Sequence, residues 1–291
     1  VQHIIQFFRI LWNALVNTIN HDGIEHAGYL AFLGLLSLFP FLVFLMAITG
    51  LLGENLAQSE FIDLIISSLP SHVVEGLRPR MLEITTGPSQ SLLTVAILGA
   101  IWTSSSAVEG LRTVLNRAYR VHTPPSYLFR RILSVGQLIV LTVIVIVVMI
   151  LLVLLPVIWE YLQAFLELDA AIITTQLRNI GYIIGALLLF FAVSSLYYVL
   201  PNVKQTWVSV FPGAALVVVL WMAAARLLAY YFSHFQQVNL IYGSLGSVIA
   251  ALLFFYTLAV IFILGAEFSY LLKRYTGERI EEKEEVEPPK A

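Results

Sequence analysis

From Ala27 to Leu52 the chain reads AGYLAFLGLLSLFPFLVFLMAITGLL without a charged side chain, and five later stretches are nearly as apolar. A bilayer hydrocarbon core of ~30 Å is crossed by about 20 helical residues. By that measure the pattern predicts six transmembrane helices, near Gly28–Leu52, Leu92–Gly110, Ile132–Trp159, Ile180–Leu200, Val208–Tyr231 and Ser244–Leu272. The runs are continuous and do not alternate with period two, so helices are expected in place of barrel strands. The expected fold class is all-α: a polytopic membrane protein of six transmembrane helices, with an N-terminal amphipathic helix and short external amphipathic helices.

Outside the spans the period changes. Ile4, Ile5, Phe7, Phe8, Leu11, Trp12, Leu15, Val16 and Ile19 recur at helical spacing, leaving Gln6, Arg9, Asn13 and Asn17 on the other side. Residues 1–26 therefore read as a cytoplasmic amphipathic helix, either lying in the membrane interface or capping the bundle. Residues 27–272 form the six-helix domain. Within it, 54–90 predicts two short external helices broken at Pro70, and Glu160–Asn179 an external loop with helical apolar spacing. Residues 273–291 read as a charged, disordered cytoplasmic tail.

Composition supports the class and charge supplies the orientation. The chain is 59% hydrophobic and 12% charged, where a soluble domain carries about a quarter charged residues. Arg9, Arg112, Arg117, Arg120, Arg130, Arg131, Lys204 and the basic tail residues all fall on one side of the expected membrane. Only Arg78, Arg80, Arg178 and Arg226 fall on the other. The positive-inside rule then places both termini in the cytoplasm. The absence of cysteine excludes disulfides, thiolate metal sites and cysteine nucleophiles.

Polar positions within the spans are the candidates for function. Ionisable residues in a span cost several kcal/mol unless paired or wetted. Glu109, Arg112, Asn116, Arg117 and Glu267 are expected to form an ion-pair cluster near the cytoplasmic face, with Arg112 and Arg117 as partners of the two carboxylates. That cluster reads either as a structural clamp or as a proton-coupled or gating element. Arg226 lies toward the external face near Tyr230 and Tyr242, where it either snorkels to the head groups or binds an anionic group. Trp102, Ser104 and Ser105 form a polar stretch in mid-span, and Trp102 and Trp221 are expected to need buried acceptors. Pro40 is a candidate hinge or a packing kink. Gly181 and Gly185 show the spacing of a helix–helix contact, compatible with a homo-oligomer.

Five segments, taken in order, give the chain a family likeness. They are AGYLAFLGLLSLFP at Ala27–Pro40, IWTSSSAVEGLRTVLNRAY at Ile101–Tyr119, YYVLPN at Tyr197–Asn202, FPGAALVVVLWMAAARLLAYYF at Phe211–Phe232, and YGSLGSVIAALLFFYTLAVIFILGAE at Tyr242–Glu267. In this order and spacing the chain resembles the YihY/BrkB-like inner-membrane proteins, once catalogued as ribonuclease BN. The resemblance implies a six-helix protein of the bacterial cytoplasmic membrane and brings no agreed activity. Roles in envelope integrity and in lipid or lipopolysaccharide traffic are implied for the family.

The old ribonuclease label finds no support in the residues. The six histidines are scattered, with no metal-ligand pair, G-x-S-x-G elbow, Walker loop or H-E-x-x-H helix. The expectation is a protein that is not an enzyme, without metal or cofactor. Membrane lipids, including anionic ones, are the expected partners, and nucleic acid is not. A transporter or lipid-translocating protein acting in envelope maintenance is the leading reading, since two three-helix halves necessarily have inverted topology. A non-transporting scaffold for envelope proteins is the alternative; a channel lacks charged rings or a filter loop.

Overall fold

A computed structural model describes residues 2–52, 90–122, 126–144, 146, 170–234, 245–277 and 281–283. The chain is mostly helical. In order the elements are α1 (Gln2–Asn20), α2 (Gly23–Leu52), α3 (Gln90–Ala118), α4 (Tyr127–Ile144), α5 (Ala170–Val199), β1 (Val203–Lys204), α6 (Trp207–His234), α7 (Leu245–Thr276) and β2 (Glu281–Glu282). Among the described residues, three helices are long and apolar enough to cross a membrane: Tyr127–Ile144, Trp207–Tyr231 and Val248–Thr276. Gly23–Leu38 and Gly185–Val199 are shorter apolar helical stretches.

Helix α7 is the centre of the molecule, touching α1, α2, α3 and α6, while α2 lies along α3 and α5 along α6. Lipid tails are as apolar as leucine, so helices in a membrane associate through close packing more than through transfer of apolar surface. The α6–α7 contact shows this. A Cβ on Gly213 would overlap the Ser269 hydroxyl and the Gly265 carbonyl, and one on Gly265 would overlap Val217. Gly185, by contrast, makes no close approach to another helix among the described residues.

Helix α1 divides into three faces. Ile10 and Ala14 are buried against Leu264, Phe268 and Leu271 of α7. Phe8, Trp12, Leu15 and Ile19 form an exposed apolar stripe, and Gln6, Arg9 and Asn13 follow on the next face round. One side of the helix is therefore packed on the bundle, while its apolar stripe stays exposed.

Several boundaries differ from the hydropathy pattern. Helix α3 does not stop at Gly110 but continues to Ala118, because RTVLNRA remains a good helix former although too polar for a bilayer core. Helix α5 begins at Ala170, so 170–179 belongs to a helix and not to an external loop. Helix α2 runs unbroken through Pro40. The tail is not wholly free: α7 continues to Thr276, and β2 pairs antiparallel with β1, matching Val203 with Glu282 and Lys204 with Glu281. The Lys283 ammonium also reaches the Pro201 carbonyl at 3.2 Å. This ribbon is a small departure from an all-α fold. The expected external helices of 54–89, and Tyr242, lie outside the described residues.

At the α3–α4 contact Arg131 reaches Ser106 and the Trp102 carbonyl, Glu109 meets Arg130 and Ser134, and Arg112 meets Gln137 and the Arg130 carbonyl.

Candidate functional site

Polar side chains converge where the C-terminal part of α7 meets the end of α3, the α1–α2 turn and the α5–α6 connection. Glu267 is 2% exposed, although it stands in a helix long and apolar enough to span a membrane. Its two oxygens accept from Arg120, Nη1 to Oε1 at 2.8 Å and Nη2 to Oε2 at 2.9 Å. Such a fork-to-fork pair combines Coulomb attraction with fixed orientation. Arg120 reaches Glu267 because the chain leaves α3 at Ala118 and turns, Arg120 itself holding a left-handed backbone with φ 60°. Its guanidinium caps the carbonyls of Arg117 and Ala118, both at 2.9 Å, and lies 5.0 Å from the Tyr270 ring.

The α1–α2 turn closes over this pair. Arg117 donates to the His21 carbonyl at 3.2 Å and forms an ion pair with Asp22, whose φ of 57° is also left-handed. His21 Nδ1 stands 3.0 Å from Arg120 Nη2 and 2.8 Å from the Asn17 carbonyl. It cannot serve both at once. Without a hydrogen, Nδ1 accepts from Arg120; with one, it donates to Asn17 and places an N–H against the guanidinium.

Behind the pair the polar network continues. Lys273 Nζ donates to Gln205 Oε1 at 2.7 Å and lies 5.5 Å from the buried Tyr119 ring. Gln205 Nε2 donates to the Tyr197 carbonyl, and the Tyr197 hydroxyl donates to the Phe262 carbonyl, tying α5 to α7. Asn116 Oδ1 accepts the Asn202 backbone N–H at 2.7 Å. Four separate parts of the chain therefore end in one buried polar junction.

A second charged group occupies the α3–α4 contact. Glu109 accepts from Arg112 at 3.3 Å, Arg130 at 3.2 Å and Ser134 at 2.9 Å. Arg112 also donates to the Arg130 carbonyl at 2.8 Å and to Gln137. Arg131 lies 4.1 Å from the Trp102 ring centroid, bonding to the Trp102 carbonyl at 2.5 Å and Ser106 Oγ at 3.1 Å.

The expected cytoplasmic cluster is thus two groups. Glu109 pairs with Arg112, as its spacing suggested, while Glu267 is held by Arg120 and not by Arg117. Sequence reasoning missed Arg120 and His21, and with them Arg130, Arg131, Ser134 and Gln137. Trp102 is 62% exposed and not buried by depth; Trp221 does find an acceptor, the Leu258 carbonyl at 3.0 Å. Ser104 and Ser105 are buried on the inward side of α3, Ser105 bonded to the Trp102 carbonyl at 2.9 Å. Arg226 and Tyr230 are exposed on α6, remote in sequence from Trp102, and no described carboxylate forms an ion pair with Arg226. Among the described residues, no three His, Asp or Glu side chains are grouped to hold a metal ion.

The span of the likeness to known proteins decides the family. Residues 14–289 match the family model described as Virulence factor BrkB. The chain belongs to the BrkB family. This BrkB member is 28% identical to a ribonuclease-like protein, YfkH, of Bacillus subtilis, over 87% of this chain and 91% of the relative. It is also 23% identical to a UPF0761 membrane protein of Pseudoalteromonas atlantica, over 92% of this chain and 87% of that one. A UPF0761 membrane protein of Vibrio campbellii is 26% identical over 91% and 81% of the two chains. No solved structure gives a significant match. The chain is a BrkB-family membrane protein with multiple candidate spans.

Proposed function

We propose that this protein is a six-span transporter or lipid-translocating protein of the bacterial cytoplasmic membrane, with both termini cytoplasmic and no enzymatic activity. The observation that carries this reading is the Glu267–Arg120 pair, a nearly inaccessible carboxylate in a membrane-length helix, held by a guanidinium that also touches His21. Ionisable groups at such positions commonly mark substrate or proton pathways. The junction joins α1, α3, α5 and α7, so making or breaking one pair would couple their positions. Basic residues clustered on one side of the spans support the orientation. The scattered histidines speak against a metal-dependent ribonuclease.

The scaffold reading draws on a different observation. Glu109 and Glu267 are both fully engaged, as in a clamp, and α1 presents an apolar stripe and a polar face on the outside of the bundle. Reconstitution separates the two. In proteoliposomes carrying a fluorescent phospholipid in the inner leaflet, the wild type should expose the probe to an outside quencher faster than protein-free vesicles do. Glu267→Gln, incorporated to the same level, should lose that acceleration. No protein-dependent exposure of this probe would count against lipid translocation and shift the reading toward the scaffold.

A further inference from the structure

The α3–α4 contact holds more positive charge than the chain neutralises. One carboxylate, Glu109, is paired with both Arg112 and Arg130, and the neighbouring Arg131 has no carboxylate partner among the described residues. Their N–H groups outnumber the acceptors supplied by Glu109, Gln137, Ser106 and the two backbone carbonyls. The Nε atoms of Arg130 and Arg131 are accordingly buried without a hydrogen-bond partner, although Arg131 as a whole is only 9% exposed. A buried donor left unmatched is costly, and an uncompensated buried charge more so. Arg130 also sits at the end of the first turn of α4, where the helix macrodipole is itself positive and favours an anion over a cation.

The surroundings specify the kind of anion. Trp102, Leu98, Leu128 and Ile132 are exposed beside the cluster, a surface suited to acyl chains. Planar guanidiniums match the oxygens of a phosphate in two-point fashion. We propose that Arg130 and Arg131, aided by Arg112, bind the phosphate of an anionic membrane lipid whose chains lie against Trp102 and its apolar neighbours. The site is separate from the Glu267 junction and independent of transport, since a structural lipid would serve a scaffold equally.

Native mass spectrometry of the full chain in detergent, offered phosphatidylglycerol and phosphatidylcholine in equal amounts, tests the site. Wild type should retain phosphatidylglycerol preferentially. Arg130→Gln and Arg131→Gln should each lower that occupancy about tenfold, the effect of losing a charge-assisted phosphate contact. Arg274→Gln, which removes an equal charge elsewhere, should leave it unchanged. If the glutamine variants do not fold, Arg131→Lys keeps the charge but loses the two-point geometry, and should still reduce occupancy. Equal retention of both lipids, or wild-type occupancy in folded Arg130 and Arg131 variants, overturns the proposal. Displacement of phosphatidylglycerol by millimolar inorganic phosphate would overturn the lipid assignment and give the site to a soluble anion.

Discussion

Arg120 and Glu267 are 147 positions apart, yet two hydrogen bonds of 2.8 and 2.9 Å join them end to end. Removing one partner of a buried pair typically costs about 3–5 kcal/mol, because the other charge is left uncompensated. Arg120 is partly exposed and has two carbonyl acceptors, so the lower end applies. Glu267→Gln should reduce thermal stability in detergent, and Arg120→Gln made in the same chain should add little further loss. Additive losses in this double-mutant cycle would show that the two side chains act separately.

Close approach of α6 and α7 makes Gly265 sensitive to one methyl group. Gly265→Ala should destabilise by about 1–3 kcal/mol through overpacking against Val217. Gly185→Ala, which meets open space, should stay within about 0.5 kcal/mol. A comparison of melting temperatures in the same detergent distinguishes them; equal effects would deny the close crossing.

The exposed stripe of α1 predicts contact with the bilayer interface. Lipids brominated near the head group should quench the wild type more than Trp12→Phe, because Trp12 is 66% exposed on that stripe. Identical fractional quenching of the two proteins would mean that Trp12 is shielded from lipid.

Orientation can be read without background, since the chain contains no cysteine. Ser126 is exposed just before α4. Ser126→Cys should react with an impermeant thiol reagent only after the cells are opened. Labelling of intact cells would reverse the proposed topology.

Hydropathy placed a helix at each described apolar run, three of them long and apolar enough to cross a membrane, but did not give the directions in which their side chains point. Trp102 shows why. Its position along α3 suggested burial, yet it shares an outward face with Leu98, one turn away, while Ser105 and Val108 turn inward. Depth along a helix leaves rotation about its axis undetermined. The partner of Glu267 was hidden for another reason. Shared depth near the cytoplasmic face pointed to Arg117, but the left-handed residue Arg120 lies beyond the helix, and a single backbone turn redirects its side chain. Arg130 and Arg131 were visible as loop charges that set orientation. Their place beside Glu109 depends on the α3–α4 register, which hydropathy does not encode.

The β1–β2 ribbon bears on the order in which the molecule is assembled. Glu281 and Glu282 are synthesised only after α7, yet they fasten the short connection between α5 and α6 made some eighty residues earlier, as the Lys283–Pro201 separation of 82 records. Until those residues emerge, Val203 and Lys204 have no strand beside them. The connection between α5 and α6, which carries Gln205 into the junction, therefore gains its strand partner only once the last helix has been made.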